Sequence, residues 1–481
     1  MSGAKAPVSL QAAELSSTPE TTLFPVRPER QRLESFLADL LAERCNRLGH
    51  GSVTPTFDLG AFRSELARFD FSKPQPLEEL LSWTVAQMAH GIVQTTHPRY
   101  FGLFNPAPTF PAECADRIAG AFNPQLASWK TSPAAVEIES HVIRAVGYRV
   151  GFGPKATGHF TTGGAEANFT ALLCALMRAN TEYSTIGARA FPFPPLFYVS
   201  NESHLAWLKI AHQAGIGRHA VRFVGTDGTG RMDATALDHS IRSDIAAGGV
   251  PIMIVATAGT TNAGMIDPLR ECATISRQHG LWYHVDAAWG GALIASDRRR
   301  DGLVGLELAD SATIDAHKWF ATTMGCGMFI TPHNSALSSV FHVCADFMPS
   351  SIEGVDPYLT SLQWSRRLTG LRLFLALAAA GWKGYEAHVE RAISLARLLR
   401  NSLIAKEWSV LNASSMAVVC AAPPPNSAPP RTIVERVLMS GRAWASVANF
   451  EGREVIRACI TNGTSTPGDI AELVKALEAA R

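Results

Sequence analysis

Residues 311–320 read Ser-Ala-Thr-Ile-Asp-Ala-His-Lys-Trp-Phe. The short run Ala312–Ile314 is predicted as a strand, and the residues after it deliver His317 and Lys318 side by side at the strand's end. A strand that is apolar throughout, rather than at alternate residues, is covered on both faces. The same character recurs in Leu196–Ser200, Ala220–Val224, Pro251–Ala256 and Leu281–Val285, each separated from the next by helical sequence. Strand, helix, strand order over this length predicts an α/β layer with a largely parallel sheet. Open sheets of this kind place their sites beyond the carboxyl ends of the strands, which is where Lys318 stands.

Outward from this centre the character of the chain changes twice. Residues 1 to about 25 are rich in Ser, Thr, Ala and Pro and are expected to form a loose tail. Leu33, Phe36, Leu37, Leu40 and Leu41 recur at helical spacing between Arg30 and Arg47, and a second amphipathic helix is predicted from Pro76 to Gly91. Helices without strands need a surface to cover, and a neighbouring subunit is one candidate. Beyond Trp364, helices are predicted at Thr369–Trp382, Tyr385–Leu403 and Pro467–Ala480. Strands are predicted at Trp408–Leu411, Ala417–Ala421 and Arg453–Ile460. The division expected is 1–95, 96–365 and 366–481, the last a smaller α+β unit.

Composition narrows the function classes. Of the 481 residues 47% are hydrophobic and 18% charged, a balance that buries a sizeable core. Lys+Arg (43) and Asp+Glu (42) nearly cancel, which argues against nucleic acid as a partner. The eight cysteines form no CxxC pair, so neither a metal knuckle nor a disulfide framework is expected. Without a signal pattern or a long uninterrupted apolar stretch, a cytoplasmic protein is the expectation, with no membrane partner.

Five segments carry the chemistry. A lysine between His317 and Trp319 at a buried strand end is poorly placed as a surface charge, and desolvation there suits a free amine for Schiff-base formation. In Leu281-Trp-Tyr-His-Val-Asp-Ala-Ala-Trp289, Asp286 ends another apolar strand. A buried carboxylate needs a cationic partner, and a pyridinium nitrogen is one; a helix cap is the plainer alternative. Phe160-Thr-Thr-Gly-Gly-Ala-Glu-Ala-Asn168 opens a helix whose first backbone N–H groups suit a phosphate. Val199-Ser-Asn-Glu-Ser-His204 presents an imidazole that can lie on an aromatic cofactor ring. Ala256-Thr-Ala-Gly-Thr-Thr261, with Asp267 beyond it, supplies small and hydroxyl residues for the ring's edge. Together they point to pyridoxal 5′-phosphate (PLP) held by Lys318, with no metal.

In this order the segments resemble the group II PLP-dependent amino-acid decarboxylases, from about His97 to the C-terminus. The resemblance implies the PLP-dependent transferase fold (aspartate aminotransferase-like, fold type I). By it, Lys318 carries the cofactor, His317 meets the phosphate, Asp286 pairs with the pyridine nitrogen, Ala288 packs on the ring and His204 stacks on its other face near the substrate carboxylate. Gly164, Ala165, Thr261 and Asp315 take the remaining cofactor positions. Ala165 stands where the family commonly has Ser or Thr, so a hydroxyl contact is lost there. A homodimer, with residues 1–95 covering the partner subunit, is also implied.

Substrate class follows from two further segments. Ser128-Trp-Lys-Thr-Ser-Pro-Ala-Ala-Val-Glu-Ile-Glu139 resembles the aromatic-decarboxylase version of its region, although Lys130 is unexpected. His97-Pro-Arg-Tyr-Phe-Gly-Leu-Phe-Asn-Pro106 matches the family's pocket segment and places Leu103, Phe104, Asn105 and Pro106 by the substrate side chain. The expectation is decarboxylation of an aromatic or bulky apolar L-amino acid to an amine and CO2. In Phe341-His-Val-Cys-Ala-Asp-Phe-Met-Pro349, Phe347 takes the place of the family's proton-donating tyrosine, and a phenyl ring donates no proton. Tyr358 and His342 are the nearest other donors. An aldehyde-forming, oxygen-consuming reaction is therefore the first alternative. A catalytically silent binding homologue is the second, and an aminotransferase is disfavoured by the context of the lysine.

Overall fold

The computed structural model describes residues 23–343, 348 and 353–481. Phe347 lies outside them, as do residues 1–22 of the expected tail. The chain divides into two compact units, Met1–Gln94 and Thr95–Arg481.

The first unit holds helices α1 (Arg27–Leu48), α2 (Leu59–Leu66) and α3 (Leu77–Gly91). Pro28 opens α1, where a missing N–H costs nothing. Asp58 caps α2 by accepting from Ala61 N, and Pro76 precedes α3. Trp83 of α3 stacks on Phe62 of α2 with ring centroids 6.2 Å apart. None of the three helices has a buried residue. The two helices predicted here are α1 and α3; α2 is too short to show a period.

The second unit is built on a seven-stranded sheet. Its strands are β1 (Thr157–Thr161), β2 (Pro195–Ser200), β3 (Val221–Val224), β4 (Val250–Thr257), β5 (Trp282–Asp286), β6 (Ser311–Asp315) and β7 (Gly327–Thr331), in the order β1-β7-β6-β5-β4-β2-β3. Strands β3, β2, β4, β5 and β6 run parallel, and β7 lies antiparallel between β6 and β1. Every residue of β2, β5, β6 and β7 is buried, as fully apolar runs require when helices cover both faces. Helix α4 (Pro133–Val150) and helix α5 (Gly164–Ala179) are among those covers. Helix α5 lays Ala167, Ala171, Leu172, Ala175 and Leu176 on the sheet, and these small side chains allow a close approach. A fully buried Leu172 contributes about 1.5–3 kcal/mol.

The remaining part contains α6 (Gly370–Ile404), α7 (Pro430–Met439) and α8 (Pro467–Ala480). Its four-stranded antiparallel sheet is β10-β11-β9-β8, with β8 Ser409–Val410, β9 Val418–Ala422, β10 Ser446–Phe450 and β11 Arg453–Cys459. The two helices predicted around residue 383 are the two halves of α6, broken at Gly381, whose φ of 63° and ψ of 174° leave the helical region. Helix α8 has the predicted bounds and begins with a reciprocal cap between Thr466 and Asp469.

Among the described residues, no helix is long and apolar enough to cross a membrane, and no group of three or more His, Cys, Asp or Glu side chains is placed to hold a metal ion.

Candidate active site

The carboxyl ends of the parallel strands meet at one cavity. Register puts Thr257 of β4 opposite Asp286 of β5, and Asp286 opposite Thr313 of β6. The cavity spans about 500 Å3 of non-protein space, part of it open to solvent. Its walls include Gly164, Ala165, His204, Thr261, Asp286, Ala288, Asp315 and Lys318, together with Phe104, Asn168 and Trp289. Sequence segments from Phe104 to Lys318 thus converge on one rim.

Each wall is held by local structure. After β1 the chain turns at Thr162, whose N–H (2.8 Å) and hydroxyl (2.7 Å) both donate to Glu166, fixing the first turn of α5. Gly164 is needed at that turn. A Cβ there would lie 2.9 Å from Asp315 Oδ2 and 3.3 Å from Ala288 Cβ, filling the space below the helix N-terminus. Asp267 braces the end of β4, accepting from Thr257 N (2.7 Å) and Met232 N (2.8 Å); burial pushes its carboxyl up to about 6. His204 accepts from Ala206 N through Nδ1 and presents its ring to the cavity.

Lys318 Nζ is 3.0 Å from Asp315 Oδ2, while Asp315 Oδ1 is buried with no hydrogen-bond partner among the described residues. His317 does not line the cavity directly. Its Nδ1 accepts from Cys326 N, and its ring lies 3.7 Å from where a Cβ of Gly163 would be, beside the helix N-terminus. Burial lowers the His317 pKa, and Lys318 acts in the same direction. Asp286 is buried, with Oδ1 accepting from Ala288 N (3.1 Å) and Oδ2 from Asn168 Nδ2 (2.8 Å).

The predicted pocket segment is divided. Phe104 lines the cavity, its ring centroid 4.3 Å from that of Trp289. Leu103 is half exposed, and neither it nor Asn105 nor Pro106 lines the cavity. Tyr358 is buried against Trp364, and His342 is exposed at the end of a short helix; neither lines the cavity. Lys130 is exposed, its backbone N–H bonded to Ser128 Oγ. Sequence reasoning passed over Arg457. Its Nη1 donates to Thr261 O (2.7 Å), its Nη2 to Gly102 O (3.0 Å), and its guanidinium sits 5.3 Å over the Phe104 ring. An arginine in the apolar strand β11 was the available signal.

This arrangement fits a phosphorylated aromatic aldehyde. Its walls bring together an amine (Lys318), the N-terminus of a helix (Gly164 and Ala165) and a buried carboxylate (Asp286). A family model described as the pyridoxal-dependent decarboxylase conserved domain matches residues 67–421. The chain belongs to this family. It is 25% identical over 466 residues to the aromatic-L-amino-acid decarboxylase of Bacillus atrophaeus, covering 94% of this chain and 95% of the relative. It is 33% identical over 325 residues to the cysteine sulfinic acid decarboxylase of Mus musculus, covering 66% and 65%. The crystal structure of Oryza sativa TDC with PLP and tryptamine has the same fold, with a TM-score of 0.88 at 21% identity over 97% of this chain and 100% of that one. The protein is a PLP-dependent amino-acid decarboxylase with the fold type I architecture expected from its sequence.

Proposed function

We propose that the enzyme decarboxylates an L-amino acid with an aromatic or bulky apolar side chain, giving the amine and CO2. One observation carries this reading. The cavity is walled by the paired rings of Phe104 and Trp289, and among the described residues its lining holds no arginine and no lysine besides Lys318. An acidic side chain would meet no arginine in that wall, and burying its charge unpaired would be costly.

In this reading Lys318 holds the cofactor through its amine. Asp286 faces the ring nitrogen, and the backbone of Gly164 and Ala165 with His317 receives the phosphate. Ala288 and His204 bracket the ring, and Thr261 and Asp315 complete its surroundings. The bound cofactor supplies an electron sink for the pair left when the carboxylate departs as CO2. Phe104 and Trp289 exclude water from the side-chain end. His204 stands where it would orient the substrate carboxylate, and Asp315 holds Lys318 against the cavity. Arg457 bridges the carbonyls of Gly102 and Thr261 and covers the Phe104 ring, linking the substrate wall to the cofactor loop.

The test is a panel of aromatic, aliphatic, acidic and basic L-amino acids, assayed in parallel for CO2, amine, aldehyde and peroxide. The reading expects amine and CO2 from aromatic or large apolar members. Turnover confined to acidic or basic members would overturn it. Phe347, standing where the family has a tyrosine, favours a second reading in which aldehyde, ammonia and peroxide accompany CO2; their absence would remove it. We further propose a homodimer in which residues 1–95 cover the partner subunit, to be checked by light scattering of the full chain and of a chain lacking those residues.

A further inference from the structure

Behind Asp286 runs a row of polar side chains that apolar packing does not require. Asp286 Oδ2 accepts from Asn168 Nδ2 (2.8 Å), Asn168 Oδ1 meets His284 Nε2 (3.0 Å), His284 Nδ1 meets Ser311 Oγ (2.8 Å), and Ser311 Oγ accepts from Trp282 Nε1 (2.9 Å). All five residues are buried, His284 and Ser311 completely. His284 and Ser311 face each other within the central strands, at paired positions of β5 and β6.

With Asp286 as an acceptor, the direction of every bond in the row follows. An indole N–H can only donate, so Ser311 Oγ receives one hydrogen from Trp282 and has its own to give. An ionised Asp286 can only accept, so the amide of Asn168 must turn its NH2 toward Asp286 and its oxygen toward His284. His284 Nε2 then carries the hydrogen. Complete burial disfavours the imidazolium, bringing its pKa down to about 4, so Nδ1 is bare and accepts the Ser311 hydroxyl. Thr313 Oγ1, at 3.4 Å from His284 Nε2, can share the same hydrogen. The opposite direction fails. A proton on the Asn168 side of Asp286 would reverse every bond as far as Ser311, which would then receive two hydrogens, so on that side Asp286 is held as an acceptor, and the N–H it accepts there favours its ionised form.

We propose that Asn168 and His284 are positioning residues: the one-way row of donors from Trp282 keeps Asp286 a carboxylate aimed at the cofactor's ring nitrogen, so the proton they share stays on that nitrogen. This rests on Asp286 facing the ring nitrogen, as given above. The row works through hydrogen bonds to a charged acceptor, and loss of one such bond corresponds to roughly 10- to 100-fold in rate.

Two measurements test it. In the wild-type enzyme labelled with 15N-histidine, NMR should show His284 as the neutral tautomer with hydrogen on Nε2, the signal being assigned by its loss in His284→Phe. Hydrogen on Nδ1, or on both nitrogens, would overturn the proposal. In holoenzyme carrying 15N-labelled pyridoxal phosphate, the ring nitrogen should give a protonated signal that moves toward the unprotonated position in Asn168→Leu and His284→Phe. In the same variants kcat should fall roughly 10- to 100-fold with KM little changed. Asp286→Asn separates the two readings. If it leaves the ring nitrogen unmoved, the placement of Asp286 is wrong. If it moves that signal while folded Asn168→Leu and His284→Phe do not, the placement stands and the relay is refuted.

Discussion

Lys318 Nζ and Asp315 Oδ2 lie 3.0 Å apart, three residues along one turn, with the carboxylate buried and the amine reaching the cavity. The pair holds the lysine at the end of β6 whatever else the cavity contains. Arginine at 318 would keep the charge beside Asp315 but could not act as a free amine, because a guanidinium stays protonated. Lys318→Arg is therefore expected to fold with an unchanged melting temperature and to lose at least about 100-fold of decarboxylase activity. Borohydride treatment followed by peptide mass mapping should find cofactor covalently bound at residue 318 in the wild type only. Full activity in the variant would refute the assignment of Lys318.

Gly164 tests the phosphate end independently. An added methyl group at this position would stand 2.9 Å from Asp315 Oδ2 and 3.3 Å from Ala288 Cβ, in the space beneath the helix N-terminus. Gly164→Ala should raise the dissociation constant for pyridoxal phosphate by about tenfold or more, the equivalent of one hydrogen bond to a charged group. Absorbance titration of the apoenzyme reads this directly. Unchanged affinity would mean that the phosphate does not sit there.

A buried ion pair secures the neighbouring wall. Glu139 of α4 meets Arg366 at 2.5 Å and also accepts from Gly370 N at 2.9 Å, at the first residue of α6. Both side chains are almost fully buried. Removing one partner leaves a buried charge without compensation, at a cost of about 3–5 kcal/mol. Arg366→Ala should lower the urea-unfolding free energy by that amount, and the double variant Glu139→Leu/Arg366→Leu should recover much of the loss. A small effect of the single substitution would contradict the pair's burial.

The parallel core was legible because burial on both faces writes itself as uninterrupted apolar runs; β2 to β6 lie within a residue or two of their predicted bounds. Strands β1 and β7 were not. Thr157-Gly-His-Phe-Thr161 has no apolar run, and the three apolar residues of β7 sit among glycines and threonines that read as loop. The short β10, Ser446–Phe450, was missed for the same reason, since only Ala448 and Phe450 of its residues are buried. Within the site, the residues that end strands stood out, because a polar side chain after an apolar run is conspicuous. Asn168 and His284 did not, being polar residues inside a helix and a strand whose partners come from distant segments.

The buried histidines set the acid limit of the fold. Burial pushes the pKa of His159, on β1 beside Phe329, down to about 3 and that of His284 down to about 4. In the unfolded chain each returns to about 6.5. Below that pH the unfolded state binds more protons than the folded one, so stability declines as the pH falls, by about 1.4 kcal/mol per unit for each histidine, until the folded pKa is reached. Asp267 works in the opposite sense. Its carboxyl is raised to about 6, so the folded state takes up its proton first and gains stability between about pH 6 and 4. Two histidines outweigh one aspartate, and a net loss on acidification follows. His159→Leu isolates one contribution. Urea unfolding at pH 7.5, 6.5 and 5 should show the wild type losing about 2 kcal/mol relative to the variant between the last two conditions. A difference between the two proteins that is the same at all three pH values would show that His159 is not held neutral in the fold.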